Sequence, residues 1–413
     1  MSADRFACTE LDGGLLVLSE ELPELRSVSV GVWVRSGSAH EAPSELGASH
    51  LVEHMVFKGT RRRSAREIAL SLERYGGALD AYTSREHTSY QARVLAEHGE
   101  LALDVLADMV SSPLLREEDL ALEREVVLEE ISTVEDTPDD LIFDLHAEAL
   151  WGDHPYGTPI LGRRETVARL GAEDLRRVHR RGYGRANLIV AAVGNIRHET
   201  LVDWVEAAFA GVADGGRPSP LPGPPRTLVG DTLHVTRPTA QTHLVLGTGI
   251  FGHRDPRRYA LVLLSNALGG AMSSRLFQRV REELGLAYTV FSFQSFCAEA
   301  GVAGVYVGTR PEWADHAESV LREELALVAR DGLSAAELED AKGQVKGQLL
   351  LSLESSGARL QRLAGFALFD EPFLTLDELA ARVDAVTLDE VAGVAAEYFD
   401  PGRQLALRLG PDR

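Results

Sequence analysis

The sequence predicts an α+β protein composed of two similar domains. Its 413 residues exceed the usual length of one domain, which is about 150 residues. A Gly- and Pro-rich stretch, GVADGGRPSPLPGPPR (211–226), has the composition of an extended connector and divides the chain once. On each side of this stretch a strand-like run precedes a long helix, and further strands and helices follow, so the same order of elements occurs twice.

The boundaries of the domains follow from this division. Residues 1–210 form the predicted N-terminal domain, residues 211–229 the linker and residues 230–413 the C-terminal domain. Short or alternating strands combined with long helices predict an antiparallel-rich sheet packed with helices in each domain. Repetition at this scale indicates an internal duplication and not a solenoid of short repeats.

Hydrophobic periodicity assigns the elements in order along the chain. In the N-terminal half the predicted strands span 28–34, 78–85 and 88–95, and the predicted helices span 48–57, 99–111, 116–134 and 138–149. In the C-terminal half the predicted strands span 242–247 and 301–309, and the predicted helices span 258–268, 311–330, 334–354 and 356–368. Both halves therefore share an early strand, a helix after it and three late helices.

Composition and charge narrow the class of protein. Hydrophobic residues make up 45% and charged residues 25% of the chain, which is typical of a globular protein with a sizeable core. The net charge of −21, from 63 acidic and 42 basic residues, argues against a nucleic-acid partner, because nucleic-acid binding requires a basic surface. The sequence shows neither a run of 18 apolar residues nor a basic leader followed by an apolar stretch, so we expect no membrane association and a cytoplasmic location.

Residues 50–54 read H-x-x-E-H and fall within the predicted helix over 48–57. At 3.6 residues per turn, His50, Glu53 and His54 leave the same face of that helix. Two imidazoles one turn apart can bind one zinc ion, and a carboxylate beside them can accept a proton from water instead of binding the metal. The alternative is that His50 and His54 are ordinary histidines on a partly buried helix with no metal role. A third metal ligand is needed to decide between a zinc site and this alternative.

The helical pattern over 119–132 supplies candidates for that ligand. Glu123 and Glu130 are seven residues apart and share one face of the predicted helix. A buried pair of carboxylates is costly without a cation, and zinc would remove that cost. Glu130 then ligates the metal while Glu123 orients a histidine ligand, although acidic residues on such a helix more often face solvent.

The order of several motifs makes the chain resemble a known family. The motifs are GVWVRSGSAHE (31–41), GASHLVEHMVFKGT (47–60), YGGALDAYTSREHTSY (75–90), LEREVVLEEI (122–131), HPYGTPILG (154–162) and NLIVAAVGNI (187–196). Together they resemble the M16 zinc peptidases, the inverzincins that include pitrilysin, insulin-degrading enzyme and the mitochondrial processing peptidase. The resemblance covers nearly the whole chain and fits the half-size bacterial-type branch of that family.

The resemblance implies a zinc metallopeptidase with one Zn²⁺ per chain. The metal ligands it implies are His50, His54 and Glu130, the last of which lies at the family's spacing of about 76 residues after the second motif histidine. It also implies that Glu53 is the catalytic base and that Glu123 supports the metal site from behind. The fold it implies is two α+β domains related by duplication.

The C-terminal half has no H-x-x-E-H, so it cannot hold zinc in the same way. The resemblance implies instead that an Arg and a Tyr seven residues apart bind the substrate backbone and the oxyanion there, and Arg281 and Tyr288 have this spacing. Arg279 competes for the arginine role, and Arg275 does so more weakly. The plain alternatives are a surface charge paired with a neighbouring Glu for Arg281 and a simple strand aromatic for Tyr288.

A short strand over 78–85 is the predicted site of substrate binding. In relatives the corresponding strand is a sheet edge that takes up the substrate as an added β-strand. Its candidate contacts are Asp80, Ala81, Tyr82 and Thr83. Asp80 stands where the family commonly has Asn, and a carboxylate cannot donate a hydrogen bond as Asn does.

We expect an oligopeptidase that cleaves short or unfolded peptides. The resemblance implies a homodimer, with the zinc domain of one protomer facing the Arg/Tyr domain of its partner and enclosing a chamber. The alternative is a catalytically silent family member that acts as a structural or peptide-binding subunit. Neither a G-x-S-x-G elbow nor a G-x-x-x-x-G-K-[ST] phosphate loop occurs, so a serine hydrolase and ATP dependence are not expected.

Overall fold

The structure is a computed structural model that describes residues 5–223, 227 and 229–412. Residues 224–226 and 228 of the predicted linker, and the first four residues of the chain, lie outside the described residues. The described residues between 211 and 229 form neither helix nor strand, as a connector requires. Within the described part of the chain, no helix is long and apolar enough to cross a membrane.

Strands and helices alternate along the described chain. The strands are β1 (Phe6–Glu10), β2 (Leu16–Glu21), β3 (Ser27–Val34), β4 (Ala78–Thr83), β5 (Thr88–Leu95), β6 (Leu188–Gly194), β7 (Thr232–Thr236), β8 (Thr242–Phe251), β9 (Ala287–Phe296), β10 (Ala300–Thr309) and β11 (Leu405–Gly410). The α-helices are α1 (Ala48–Val56), α2 (Ala65–Glu73), α3 (Gly99–Ser111), α4 (Glu117–Glu135), α5 (Pro138–Trp151), α6 (Arg164–Val167), α7 (Ala172–Gly182), α8 (His198–Ala208), α9 (Arg258–Gly269), α10 (Ala314–Asp331), α11 (Ala335–Ser352), α12 (Ser356–Leu368), α13 (Leu376–Ala385) and α14 (Leu388–Tyr398). A π-helical turn spans Phe277–Glu283.

The described residues fall into two compact units that are not continuous in sequence. The first is formed by the described residues of Met1–Ser132, Thr158–Leu221 and Ser352–Thr375. The second is formed by those of Thr133–Gly157, Pro222–Leu351 and Leu376–Arg413. Helix α5 from the N-terminal half therefore packs on the second sheet, and helix α12 from the C-terminal half packs on the first sheet.

The first unit contains a six-stranded sheet in the order β1-β2-β6-β3-β5-β4. Strands β2 and β6 are parallel, and the other neighbours are antiparallel. One face of the sheet and the helices α1 and α3 enclose a core that includes Val30, Val32, Leu51 and Leu103. Strand β4 ends the sheet, so one of its two edges pairs with β5 and the other does not pair within the sheet.

The second unit contains a five-stranded sheet in the order β7-β11-β8-β10-β9. Its strands correspond one for one to β2-β6-β3-β5-β4, and β7 and β11 are parallel, as β2 and β6 are. Among the described residues, strand β1 has no counterpart in this sheet. The shared strand order and direction confirm the predicted fold class of two α+β domains related by duplication.

Candidate metal centre

Helix α1 separates apolar from chemically active side chains. Leu51, Val52 and Met55 are fully buried in the core of the first unit. The side chains of His50 and His54 project from the opposite side of the helix and are 12% and 18% exposed, respectively. The helix thus gains stability from one face and presents its polar residues on the other, as its amphipathic sequence predicts.

The N-terminus of α1 is held by a half-buried carboxylate. Glu41 accepts hydrogen bonds from the backbone N–H groups of Gly47, at 2.8 Å, and Ser49, at 2.6 Å. Gly47 has φ 94°, and a Cβ there would lie 2.7 Å from the carbonyl oxygen of Leu161. Glycine is therefore required where the chain turns into the helix, and the start of the helix is fixed three residues before His50.

Helix α4 brings the two predicted glutamates to the same side. Leu120, Val127 and Ile131 bury the helix in the core, and Glu123 is also buried, with 7% of the residue exposed. The side chain of Glu130 is 40% exposed. Glu123 therefore faces inward against α1, whereas Glu130 lies at a solvent-accessible position two turns further along the helix.

His50, His54 and Glu130 converge on one point. The Nε2 atoms of His50 and His54 lie 3.6 Å from the two carboxylate oxygens of Glu130, and one atom from each of the three residues lies within 4.8 Å of the others. Two ligand atoms bound to a tetrahedral zinc ion lie roughly 3.4 Å apart, given Zn–N and Zn–O distances of about 2.0–2.2 Å. The donor set and its spacing therefore fit a zinc ion with three protein ligands and a remaining open position.

Glu123 orients His54 from behind. Its Oε2 lies 3.0 Å from His54 Nδ1, and its Oε1 lies 2.5 Å from the ammonium of Lys58. With Nδ1–H donating to this carboxylate, the lone pair of His54 Nε2 faces Glu130 and the metal position. Lys58 balances the charge of the buried carboxylate, and the sequence analysis did not single it out, although it lies one helical turn beyond His54.

Electrostatics favour the metal-binding form of His50. Burial, reinforced by the nearby imidazole of His54, lowers the pKa of His50 to about 4. The ring is therefore neutral near pH 7 and offers a lone pair, as a metal ligand must. Burial raises the pKa of Glu53 above its ordinary value, while a hydrogen bond from Thr83 acts in the opposite direction. A raised pKa suits a group that accepts and returns a proton.

A cavity of about 330 Å³ adjoins these residues. Phe57 and Leu79 give it an apolar wall, and Glu53, Lys58 and Asp80 are charged groups around it. All of these residues belong to the first unit. The cavity offers room for a substrate side chain beside the proposed base.

The predicted substrate strand is observed as β4. Asp80 lies on it and accepts a hydrogen bond from its own neighbour, Ala81 N, at 3.0 Å. Tyr82 points to His87 and Gln361, whereas Thr83 donates to Glu53. These residues lie at the end of the sheet, where an added strand would pair, and their role in substrate binding stays a prediction.

The arginine and tyrosine candidates lie in the second unit and contact each other. The guanidinium of Arg281 lies 4.3 Å from the ring centroid of Tyr288 and 4.6 Å from that of Phe277, and its Nη1 donates to the carbonyl oxygen of Tyr288 at 3.3 Å. Its Nε lies 3.7 Å from Glu282 Oε1. Tyr288 is 76% exposed. The pair therefore presents a donor-rich aromatic surface.

The two competing arginines are engaged elsewhere. Arg279 donates to Glu283 at 2.8 Å, which is a surface pair on one helical turn. Arg275 binds both carboxylate oxygens of Glu337, at 2.6 and 2.8 Å. Arg281 is thus the arginine of the three whose guanidinium is stacked on Tyr288, and its role at the active site stays a prediction.

Two sequence patterns of one peptidase family match the chain in succession. The pattern described as "Insulinase (Peptidase family M16)" matches residues 16–164, and the pattern described as "Peptidase M16 inactive domain" matches residues 169–345. The chain belongs to peptidase family M16. Within this M16 protein, the candidate metal ligands lie in the region matched by the first pattern, and Arg281 and Tyr288 lie in the region matched by the second.

Bacterial M16 relatives match almost the full chain. A protein named an uncharacterized zinc protease of Streptomyces coelicolor is 41% identical over 410 residues, which cover 98% of this chain and 89% of the relative. The uncharacterized zinc protease YmxG of Bacillus subtilis is 42% identical over 403 residues, which cover 98% of this chain and 97% of the relative. These lengths confirm the half-size branch of the family.

Two solved structures share the fold. One, described as the peptidase M16 inactive domain from Pseudomonas fluorescens, has a TM-score of 0.93 at 21% identity and covers 99% of this chain and 98% of its own. The other, a protease from Helicobacter pylori, has a TM-score of 0.91 at 24% identity and covers 98% of this chain and 99% of its own. At these identities the likeness concerns the fold alone.

Proposed function

We propose that this M16 protein is a zinc-dependent metalloendopeptidase that hydrolyses short or unfolded peptides, with one zinc ion per chain. The observation that carries the proposal is the convergence of His50, His54 and Glu130 at distances that suit zinc, with Glu53 adjacent to them. A silent family member would not need a complete donor set together with a further carboxylate, that of Glu53, beside it.

The residues of the chain divide the work. His50, His54 and Glu130 would hold the ion, which when bound polarises a carbonyl group and makes water a better nucleophile. Glu53 accepts a proton from the attacking water and delivers it to the leaving amine. Glu123 keeps the tautomer of His54 that leaves Nε2 free for the metal.

The remaining groups bind substrate and transition state. Strand β4 offers an unpaired edge to an extended peptide, so main-chain hydrogen bonds give affinity with little demand on sequence. Tyr288 and Arg281 supply hydrogen-bond donors for the tetrahedral oxyanion. In the proposed homodimer these two residues come from the partner protomer, and the enclosed chamber excludes folded proteins.

Cleavage of a quenched fluorescent peptide library tests the proposal. The purified chain is assayed with and without a zinc chelator, beside Glu53→Gln and the exposed control Glu125→Gln on α4. We expect the chelator to abolish cleavage, added zinc to restore it, and Glu53→Gln to lose at least about 100-fold in kcat while it retains zinc. The control should match the wild type.

The same experiment addresses the alternative of a silent binding subunit. A folded, zinc-loaded wild-type chain that cleaves none of the library would contradict the peptidase proposal. Unchanged activity of Glu53→Gln would remove Glu53 as the base and redirect the mechanism to another group.

A further inference from the structure

The proposed base, Glu53, is held by a strand as well as by its own helix. Thr83 Oγ1 on β4 donates a hydrogen bond of 2.6 Å to Glu53 Oε2. Among the described residues, no other side chain or backbone group forms a hydrogen bond with the Glu53 carboxyl group. A hydrogen bond to a carboxylate at this length is short and strong, so it fixes the plane and the direction of the carboxyl group.

Thr83 is itself well positioned to fix another group. It is β-branched, which restricts rotation about χ1. It is also the last residue of β4 and pairs with Thr88 on β5. The turn that follows is closed by the N–H of Ser84, which donates to the carbonyl oxygen of His87 at 2.8 Å. The backbone that carries the Thr83 hydroxyl is therefore fixed on both sides of the residue.

The other face of β4 is anchored too. The hydroxyl of Tyr82 donates to Gln361 Oε1 on helix α12 at 3.0 Å and lies 3.2 Å from His87 Nε2. Successive side chains of a strand point to opposite faces, so Tyr82 secures the strand from behind while Thr83 reaches toward Glu53. The strand cannot shift without disturbing the contact to the base.

We propose that Thr83 is a positioning residue for Glu53, which it holds in the orientation that accepts a proton, and that it thereby links the substrate-binding strand to the base. This inference rests on the proposed peptidase function. It assigns Thr83 a role beyond the edge contact to substrate predicted from the sequence. Because it acts through Glu53, its loss should change kcat and not KM or zinc binding.

The test uses full-length, zinc-loaded protein and a fluorescent peptide that the wild type cleaves. Thr83→Val keeps the shape and removes the hydroxyl, whereas Thr83→Ser keeps the hydroxyl. Thr88→Val removes a buried hydroxyl that donates to the carbonyl oxygen of Ser36 and serves as the matched control. We expect Thr83→Val to lower kcat about 10- to 100-fold, which is the range for a hydrogen bond to a charged group, with KM and zinc affinity within about 3-fold of the wild type. Thr83→Ser should recover most of the loss, and Thr88→Val should retain kcat.

A double-mutant cycle shows whether Thr83 acts through Glu53. In a Glu53→Asp background the shorter carboxylate no longer reaches Thr83, so adding Thr83→Val should change kcat by less than about 3-fold. If Thr83→Val costs the same in both backgrounds, or raises KM with kcat unchanged, the positioning role is wrong. A wild-type chain that cleaves nothing overturns the peptidase proposal and this inference with it, whereas a cleaving wild type matched by Thr83→Val overturns the inference alone.

Discussion

At the scale of single residues, Glu123 shows how a buried charge is used. It lies between His54, at 3.0 Å, and Lys58, at 2.5 Å, and 7% of the residue is exposed. Burial of a lone carboxylate would be costly, so these two contacts account for its place in the core. In the proposed function Glu123 sets the orientation of His54 and does not itself bind the metal.

Glu123→Gln should weaken zinc binding without unfolding the protein. The amide keeps the shape but loses the charge that favours the Nδ1–H tautomer of His54, so we expect zinc affinity to fall about 10- to 100-fold. Competition with a chromophoric chelator measures this. Glu125→Gln, on the exposed side of the same helix, should leave the affinity unchanged. Equal affinities for all three proteins would contradict the assigned role of Glu123.

His146 is a residue that the sequence analysis did not single out, and it makes stability depend on pH. It is 2% exposed on α5, and its Nε2 lies 3.2 Å from the carbonyl oxygen of Leu405. It packs where Gly247 has no side chain, since a Cβ there would lie 2.7 Å from the imidazole. Burial lowers the pKa of His146 from 6.5 to about 4.

The sign of the pH effect follows from the direction of this shift. Between pH 6.5 and 4 the unfolded chain binds a proton at His146 that the folded chain does not. The contribution of His146 to the free energy of unfolding is therefore complete above pH 6.5 and is lost as the pH falls toward 4. We expect the free energy of unfolding of the wild type to fall by roughly 2 kcal/mol more than that of His146→Gln between pH 7 and pH 5. Urea denaturation at the two pH values measures the difference. His316→Gln, at an exposed position, should show the same pH dependence of the free energy of unfolding as the wild type. If His146→Gln loses as much stability as the wild type between the two pH values, His146 is not the source of the pH dependence.

At the scale of elements, helix α12 is fixed to the first unit by a buried ion pair. Arg359 Nη1 lies 2.5 Å from Glu20 Oε1 on β2, and both side chains are less than 10% exposed. Ser356 and Ser29 add a hydrogen bond of 2.9 Å between the same helix and β3. Leu360 and Leu363 complete the contact in a small apolar cluster.

Removal of one partner of this pair should destabilise the first unit. Arg359→Leu leaves the carboxylate of Glu20 buried without its counter-ion, which typically costs about 3–5 kcal/mol. Urea unfolding of Arg359→Leu, of the double variant with Glu20→Leu and of Arg330→Leu measures this. The double variant should recover much of the loss, and Arg330, which pairs with Asp331 at the surface, should contribute less than about 1 kcal/mol. If Arg359→Leu is as stable as Arg330→Leu, the Arg359–Glu20 ion pair does not fix helix α12 to the sheet.

Element boundaries were predictable where the helical or strand period is strong. Helices α3 and α12 have the predicted bounds of 99–111 and 356–368, and α4 and α5 differ from prediction by one or two residues at their ends. The prediction did not include β1, β2, β6, β7, β9 and β11 or the helices α2, α6, α7, α8, α13 and α14. Most of these elements are short, and the strands among them pair with strands distant in sequence, so the local pattern carried too little information. Helix α7 does have a clear amphipathic period, which the prediction overlooked.

At the scale of the whole molecule, the proposed homodimer predicts that dimers formed from two different inactive variants are active. If each active site combines the zinc domain of one protomer with the Arg/Tyr domain of its partner, a dimer of one Glu53→Gln and one Tyr288→Phe chain contains one site with both substitutions and one site with neither. Each parent alone should be nearly inactive. We therefore expect mixing and subunit exchange to restore a substantial fraction of activity.

The restored activity is measured with the same fluorescent peptide after tagged mixed dimers are isolated. Sedimentation should show a particle of about twice the chain mass of 44.9 kDa. If the mixed dimers stay as inactive as the parents, the two groups of residues act within one protomer and the proposed arrangement across the dimer is wrong.

The sequence by itself named the residues of the candidate metal centre: the helical period places His50, Glu53 and His54 on one face and Glu123 and Glu130 on another, and the resemblance to the M16 family assigns their roles. It also determined the α+β class and the duplication, since the order of strands and helices is local information. Only the tertiary structure showed which groups contact these residues. Lys58 pairs with Glu123, and Thr83 donates a hydrogen bond to Glu53. It also showed that α5 and α12 each pack on the sheet formed mainly by the other half of the chain. The physical reason is that such contacts join residues far apart in sequence, whose meeting depends on how strands pair and which helix covers which sheet, and no local periodicity records it.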